Sequence, residues 1–170
     1  PYRLARDIRG IGFLTADALA RRLGIEKTAA IRARAGIAYA LMQAIDEGQC
    51  GLPREALAES ATKLLDVPGD IVDAALAAEL ADGTVVADAT GGRDCIFLAW
   101  LHTTERQLAD SIRSLAAGAP PWAAIDAEKA LPWVEQQLAL ALADRQREAV
   151  RQAIASKLLV ITGGPGVGKT

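Results

Sequence analysis

The run "LLVITGGPGVGKT", residues 158–170, constrains the fold more than any other stretch of the sequence. Gly163, Gly164, Pro165, Gly166, Val167, Gly168, Lys169 and Thr170 fill every fixed position of the pattern G-x-x-x-x-G-K-[ST]. A loop of this kind is built between a buried strand and a helix, and the apolar residues 158–162 are the predicted strand. Glycines let successive backbone N–H groups curl around phosphate oxygens where a Cβ would collide. The pattern gives each position a role: the loop cradles the phosphates of ATP, Lys169 reaches the β- and γ-phosphates as the catalytic cation, and the Thr170 hydroxyl ligates Mg²⁺.

Upstream, "DRQREAV" places Gln146 on a predicted helix over 144–155 that leads into the strand. A glutamine amide donates and accepts at once, so it can pair with the N6/N7 edge of adenine. Gln146 therefore joins residues 163–170 in the predicted ATP site.

The opposite end of the chain has another character. Residues 1–36 carry eight Arg and Lys against three acids, a net of +5, whereas the remaining residues carry a net of −7. A basic head on an acidic body is the asymmetry expected when only the head meets nucleic acid. Within it, "IRGIGFLTADAL" sets Gly10 and Gly12 on either side of Ile11, between two predicted helices. Such a turn forms a small anion nest at a helix start, suited to a DNA phosphate. Arg9, Gly10, Ile11, Gly12 and Thr15 are the predicted DNA contacts, with Ile11 tucked between the helices. Phosphate contacts of this type position a strand without reading its sequence.

Composition narrows the rest. Hydrophobic residues make up 51% but aromatics only 4%, which favours packing of small-residue helices over a base-stacking platform. Cys50, Cys95 and the single His102 cannot assemble a zinc site, and isolated cysteines fit a reduced, cytoplasmic protein. No apolar run approaches the roughly 20 residues of a membrane helix. The start at Pro1 and the stop at the last position of the loop lead to the expectation of a piece of a longer chain.

Between the two ends the periodicity predicts helices over 13–23, with Leu14, Ala18, Leu19 and Leu23 as one face, and over 31–47. A short extended piece at "CGLP", helices over 53–65 and 68–82, and a β-hairpin around Gly91-Gly92 follow. That order is the order of a winged helix, but its recognition-helix position holds Asp70, Asp73, Glu79 and Asp82 with no Arg or Lys. An acidic helix there predicts a structural role or a protein partner. A long helix over 102–117, a Pro- and Gly-rich linker, a helix ending near 142 and the helix over 144–155 complete the pattern.

Taken together, these segments resemble the RecD-like superfamily 1 DNA helicases. "PYRLARDIRGIGFLTADALARRLGI" resembles the helix-hairpin-helix of that family, and "GIAYALMQAIDEGQCGLPREAL" the start of its winged-helix segment. "DRQREAV" is similar to its adenine-reading Q-motif, and "LLVITGGPGVGKT" to motif I. The resemblance implies a mostly α fold: a helix-hairpin-helix over 1–36, a winged-helix-like domain and following helix over 37–118, and a linker over 119–125. From 126 to 170 it implies the opening helices and first strand of a RecA-like α/β motor. It further implies an ATP- and Mg²⁺-dependent enzyme that unwinds DNA 5′ to 3′ in recombination and repair, acting at single strands or single/double-strand junctions. Val167 stands where the family commonly has Thr, in a slot that contributes backbone. Residues 1–170 contain none of the later acidic, glutamine and arginine elements of such a motor, so this stretch alone is expected not to hydrolyse ATP usefully. The competing reading is a non-enzymatic DNA-binding or protein-interaction module, and a clamp-loader-like ATPase is a third; Gln146 counts against the last.

Overall fold

Glycine and proline set most of the element ends in the computed structural model, which describes residues 1–8 and 11–168. Helix α1 (Tyr2–Asp7) follows Pro1, and α2 (Phe13–Arg22) runs from its N-cap Gly12 to a stop at Gly24, whose φ of +82° costs a glycine little. Helix α3 (Ala30–Asp46) ends before Gly48. Strand β1 (Gly51–Pro53) leads into α4 (Arg54–Leu65) and α5 (Gly69–Ala81). The hairpin of β2 (Val85–Thr90) and β3 (Arg93–Leu98) turns at Gly91-Gly92, both with positive φ, as a two-residue hairpin loop requires. All three strands form one antiparallel sheet in the order β1-β3-β2. Then follow α6 (Ala99–Ala116), α7 (Ala127–Leu138) and α8 (Asp144–Ala155). The chain is mostly α, and no described helix is long and apolar enough to cross a membrane.

The chain divides into two compact units, Pro1–Glu105 and Arg106–Thr170. The first contains nearly all of the buried apolar residues, with α3 at its centre. Ile37 and Leu41 of α3 meet Leu57 and Leu65 of α4, Leu76 of α5, Phe13 of α2 and Ile96 of β3 in one core. Gly36 lets α4 come close: a Cβ there would lie 2.7 Å from the Leu65 methyl carbons. In the second unit Leu131 is the buried apolar residue among those described. There Asp126 caps α7 by accepting from the N–H groups of Glu128 and Lys129.

Within the first unit lies a charged network that the periodicity did not announce. Asp17 of α2 and Arg32 of α3 are buried to 7% and 5% exposure. Arg32 donates from Nε to Asp17 Oδ1 at 2.8 Å and from Nη2 to Oδ2 at 3.0 Å. Its Nη1 donates to the carbonyls of Lys27 and Leu65, each at 2.9 Å. Tyr2 Oη donates to Asp17 Oδ1 at 2.7 Å. Five residues from α1 to the end of α4 thus meet around one Arg–Asp pair, and every buried polar side-chain atom described has a partner.

Three sequence expectations need correction. In α2 the buried face is Phe13, Ala16, Asp17 and Ala20, while Leu14 (67% exposed), Ala18, Leu19 and Leu23 (66%) face solvent. Asp17 is drawn inward by Arg32 and Tyr2, which rotates the helix away from its leucines. Residues 158–162 form no strand: no described residue offers them a ladder partner, and Val160 and Ile161 are exposed. A strand without a hydrogen-bonded neighbour has no reason to persist. Helix α7 stops at Leu138, four residues short of the predicted end, because Ala139 takes a left-handed φ of +49°.

Burial pushes the Asp17 carboxyl up, but the bonds from Arg32 and Tyr2 outweigh it and hold the group below the ordinary carboxylate range. Burial first, and then the bond to Asp17, raise the Tyr2 phenol. The stability contributed by Asp17 is therefore full above about pH 3.9 and is lost as pH falls through the lowered folded value. That of Tyr2 is full below about pH 10 and is lost above it. Asp17→Asn should cost about 3–5 kcal/mol, because it leaves the Arg32 charge buried and uncompensated. Urea melts at neutral pH check this, and a cost under about 1 kcal/mol would contradict a structural role for the pair.

Candidate functional site

Two places carry the chemistry read from the sequence. The first is the turn between α1 and α2. Arg9 and Gly10 lie outside the described residues, but both flanks are in view. Ile8 leaves α1 in extended backbone, and Ile11 N–H donates to Ile8 O at 3.2 Å. Ile11 is half-buried against the core, as expected of a residue tucked between two helices. Thr15 is exposed on the first turn of α2. The N-cap residue Gly12 has no side chain with which to cap that helix, so it gives the leading N–H groups no side-chain acceptor.

Gly12 is informative for what it does not need. Its φ of −81° and ψ of 169° suit any residue, and among the described residues nothing lies within 4 Å of where a Cβ would stand. The fold thus places no demand for glycine there, and a small residue keeps the helix start open to an incoming group. The basic character of the head is partly consumed internally. Arg32 is committed to Asp17, Lys27 pairs with Asp66, and Arg34 pairs with Glu79 and Asp82. Arg21 and Arg22 remain exposed in the last turn of α2. The acidic helix α5 is explained in the same terms: Glu79 is buried and also accepts from Thr84, while Asp70 and Asp73 face solvent.

The second place is the glycine loop with α8. Lys169 and Thr170 lie outside the described residues. Pro165 and Gly166 make a turn, and Gly166 and Gly168 take φ of +75° and +74°, where glycine is favoured. Gln146 sits at the third position of α8 and reaches the loop. Its Oε1 accepts from Ala143 N at 2.9 Å, and its Nε2 donates to Val167 O at 3.4 Å. A Cβ on Gly168 would stand 2.5 Å from Gln146 Nε2. The fold thus brings together Gln146 and the loop, which the sequence paired at a distance.

The start of α8 is held from α7. Glu135 accepts from Leu142 N at 2.8 Å, from Arg147 Nε at 3.1 Å and from Arg147 Nη2 at 2.7 Å. The Leu142 N–H bond first, and then Arg147, hold its carboxyl below the ordinary glutamate range. Sequence reasoning missed Glu135, because an acid on an amphipathic helix reads as solvated surface. It missed Arg32 too, although that residue falls on the same stripe of α3 as Ala33, Gly36 and Ile37. A cation inside an apolar stripe was the available signal.

Residues 1–51 match the family described as "ATP-dependent RecD2 DNA helicase HHH domain". The chain is also 32% identical over 177 aligned positions to the "ATP-dependent RecD2 DNA helicase" of Deinococcus radiodurans, in an alignment covering 96% of the chain. Over nearly its whole length the chain is similar to that helicase. It spans 24% of the length of that curated relative. The matched segment 1–51 takes in α1, α2, α3 and the buried Tyr2–Asp17–Arg32 network.

The openness of Gly12 yields a direct check. Gly12→Asp supplies a good capping side chain for α2 at a position with free space, so thermal stability should stay level or rise by up to about 1 kcal/mol. A loss of more than about 1 kcal/mol in a thermal melt would mean that the fold does require glycine there.

Proposed function

We propose that this chain belongs to an ATP-dependent DNA helicase, in which it joins a DNA-contacting accessory region to the opening of the motor. The observation that carries the reading is the extent of the match: 96% of the chain takes in residues of both units. The helix-hairpin-helix occupies residues 1–36, a winged-helix-like domain with its following helix 37–118, a linker 119–125 and the start of a RecA-like motor 126–170. The order α3, β1, α4, α5, β2, β3 and the β1-β3-β2 sheet support the winged-helix assignment. The acidic surface of α5, with Asp70 and Asp73 exposed, suits a protein partner better than DNA.

In this reading a phosphate of single-stranded or junction DNA docks at Arg9–Gly12 and Thr15, where the uncapped amides of α2 supply donors and Gly12 leaves room. ATP binds at the other site. Gly163–Gly168, apart from Pro165, offer backbone N–H groups to its phosphates, Lys169 adds a positive charge at the β- and γ-phosphates, and Gln146 meets the adenine. The alternation of left-handed glycines at 166 and 168 fits such a cradle. Thr170 would hold Mg²⁺, which would supply neutralisation of the negative charge on the β- and γ-phosphates. Translocation 5′ to 3′, and a cytoplasmic role in recombination and repair, complete the proposal by analogy with the RecD-like family.

The test is Lys169→Ala in the full-length protein. ATPase activity should fall by roughly a hundredfold or more, because the lysine stabilises charge that develops in the transition state. Unwinding should disappear with it, while DNA affinity stays within about twofold, since phosphate contacts to DNA lie elsewhere. Unwinding that survives the substitution would remove the motor assignment.

A further inference from the structure

If Gln146 reads adenine, the orientation of its amide decides which base it accepts. A carboxamide oxygen has two lone pairs and its NH₂ two protons. In this chain one of each is already engaged, by Ala143 N–H and by Val167 O. One acceptor and one donor remain, a pair that complements the N6–H donor and N7 acceptor of adenine. Guanine presents two acceptors, O6 and N7, on the same edge, so only one of them can be met. Turning the amide over would reverse that selection, and the Ala143 N–H prevents it, because a flipped amide would set NH₂ against N–H.

The location of the Ala143 N–H therefore matters, and it is set by a side chain remote from the nucleotide. Glu135 takes hold of both neighbours of the Ala143–Gln146 segment. It accepts from Leu142 N, the residue before Ala143, and from Arg147, the residue after Gln146. Its carboxylate is 14% exposed and its partner Arg147 41%, whereas in the link from Arg151 to Glu128 the arginine is 38% and the carboxylate 75% exposed, so the difference lies in the carboxylate. Shielded charge-assisted bonds hold position better than exposed ones.

We propose that Glu135 is a positioning residue for base selection: through Leu142 and Arg147 it fixes the Ala143 N–H and the Gln146 amide, and so sets the preference for adenine over guanine nucleotides. The inference rests on the reading that Gln146 meets the base, and the experiment separates the two. In the full-length protein, kcat and KM are measured with ATP and with GTP for wild type, Gln146→Ala, Glu135→Ala, Glu135→Gln and Arg147→Gln, each with a thermal melt.

Gln146→Ala should bring the ATP/GTP ratio of kcat/KM close to one. Glu135→Ala should lower that ratio roughly tenfold, the value of one well-placed base contact, through KM for ATP with kcat little changed. Glu135→Gln keeps an acceptor for Leu142 N and should retain part of the preference. Arg147→Gln should lie between wild type and Glu135→Ala, and it carries the test if Glu135→Ala fails to fold. A wild-type ratio in Glu135→Ala, or in Arg147→Gln where that is the only folded variant, overturns the positioning role if Gln146→Ala has lost the preference. A wild-type ratio in Gln146→Ala overturns the adenine reading itself, and the role of Glu135 with it.

Discussion

The two-toothed contact between Arg32 and Asp17 is the constraint on which the first unit depends. One carboxylate collects a guanidinium and a phenol, and the same guanidinium satisfies two carbonyls, one at the end of α4. Buried ion pairs seldom add much net stability compared with a well-packed apolar substitute. Their value here is geometric. An apolar core made largely of Ala and Leu could accept several rotations of α2, whereas a planar Arg–Asp pair accepts one. The choice it imposes turns Leu14 and Leu23 outward and Phe13 inward, where the ring stacks on Tyr2 and Tyr39. The turn that carries Gly12 is slung between α1 and α2, and both of those helices contribute to the network.

The second unit solves a similar problem with less core. Leu131 is buried, but Trp133, Leu138, Leu140, Val160 and Ile161 are exposed. Polar links hold the helices instead: Glu135 to Arg147, Arg151 to Glu128, and the indole N–H of Trp122 to Ile154 O. In both units a carboxylate gripping an arginine fixes a segment next to a proposed phosphate-binding turn. In the first it sets the helix behind the turn proposed to contact DNA, and in the second the helix beside the loop proposed to bind the nucleotide. On the helicase reading, a rigid surround is what each turn requires, because backbone amides select an anion by position alone.

Much of this was legible where a local rule governs a residue. Gly91-Gly92 specified the hairpin turn, Gly24 and Gly48 the stops of α2 and α3, and the polar start at Asp144 the opening of α8. The glycine loop and Gln146 were visible as spaced residue types whose chemistry belongs together, and the fold sets them side by side. What could not be read was tertiary in origin. Asp17 counts as polar surface in any periodicity until Arg32 is known to face it from fifteen residues away. The early end of α7 turns on one left-handed alanine. The apolar run at 158–162 has strand composition, yet pairing needs a neighbour that composition cannot supply.

Whether the basic turn before α2 grips a nucleic-acid backbone, as proposed, is tested by the salt dependence of single-stranded DNA binding by this chain. Because Lys27, Arg32 and Arg34 are committed internally, not all eight cations of residues 1–36 are available to displace counterions. The account predicts measurable binding at low salt and a linear fall of log K with log salt. For about three neutralised phosphates the slope should be roughly −2. Absence of binding at low salt, or an affinity that does not change with salt, would contradict it.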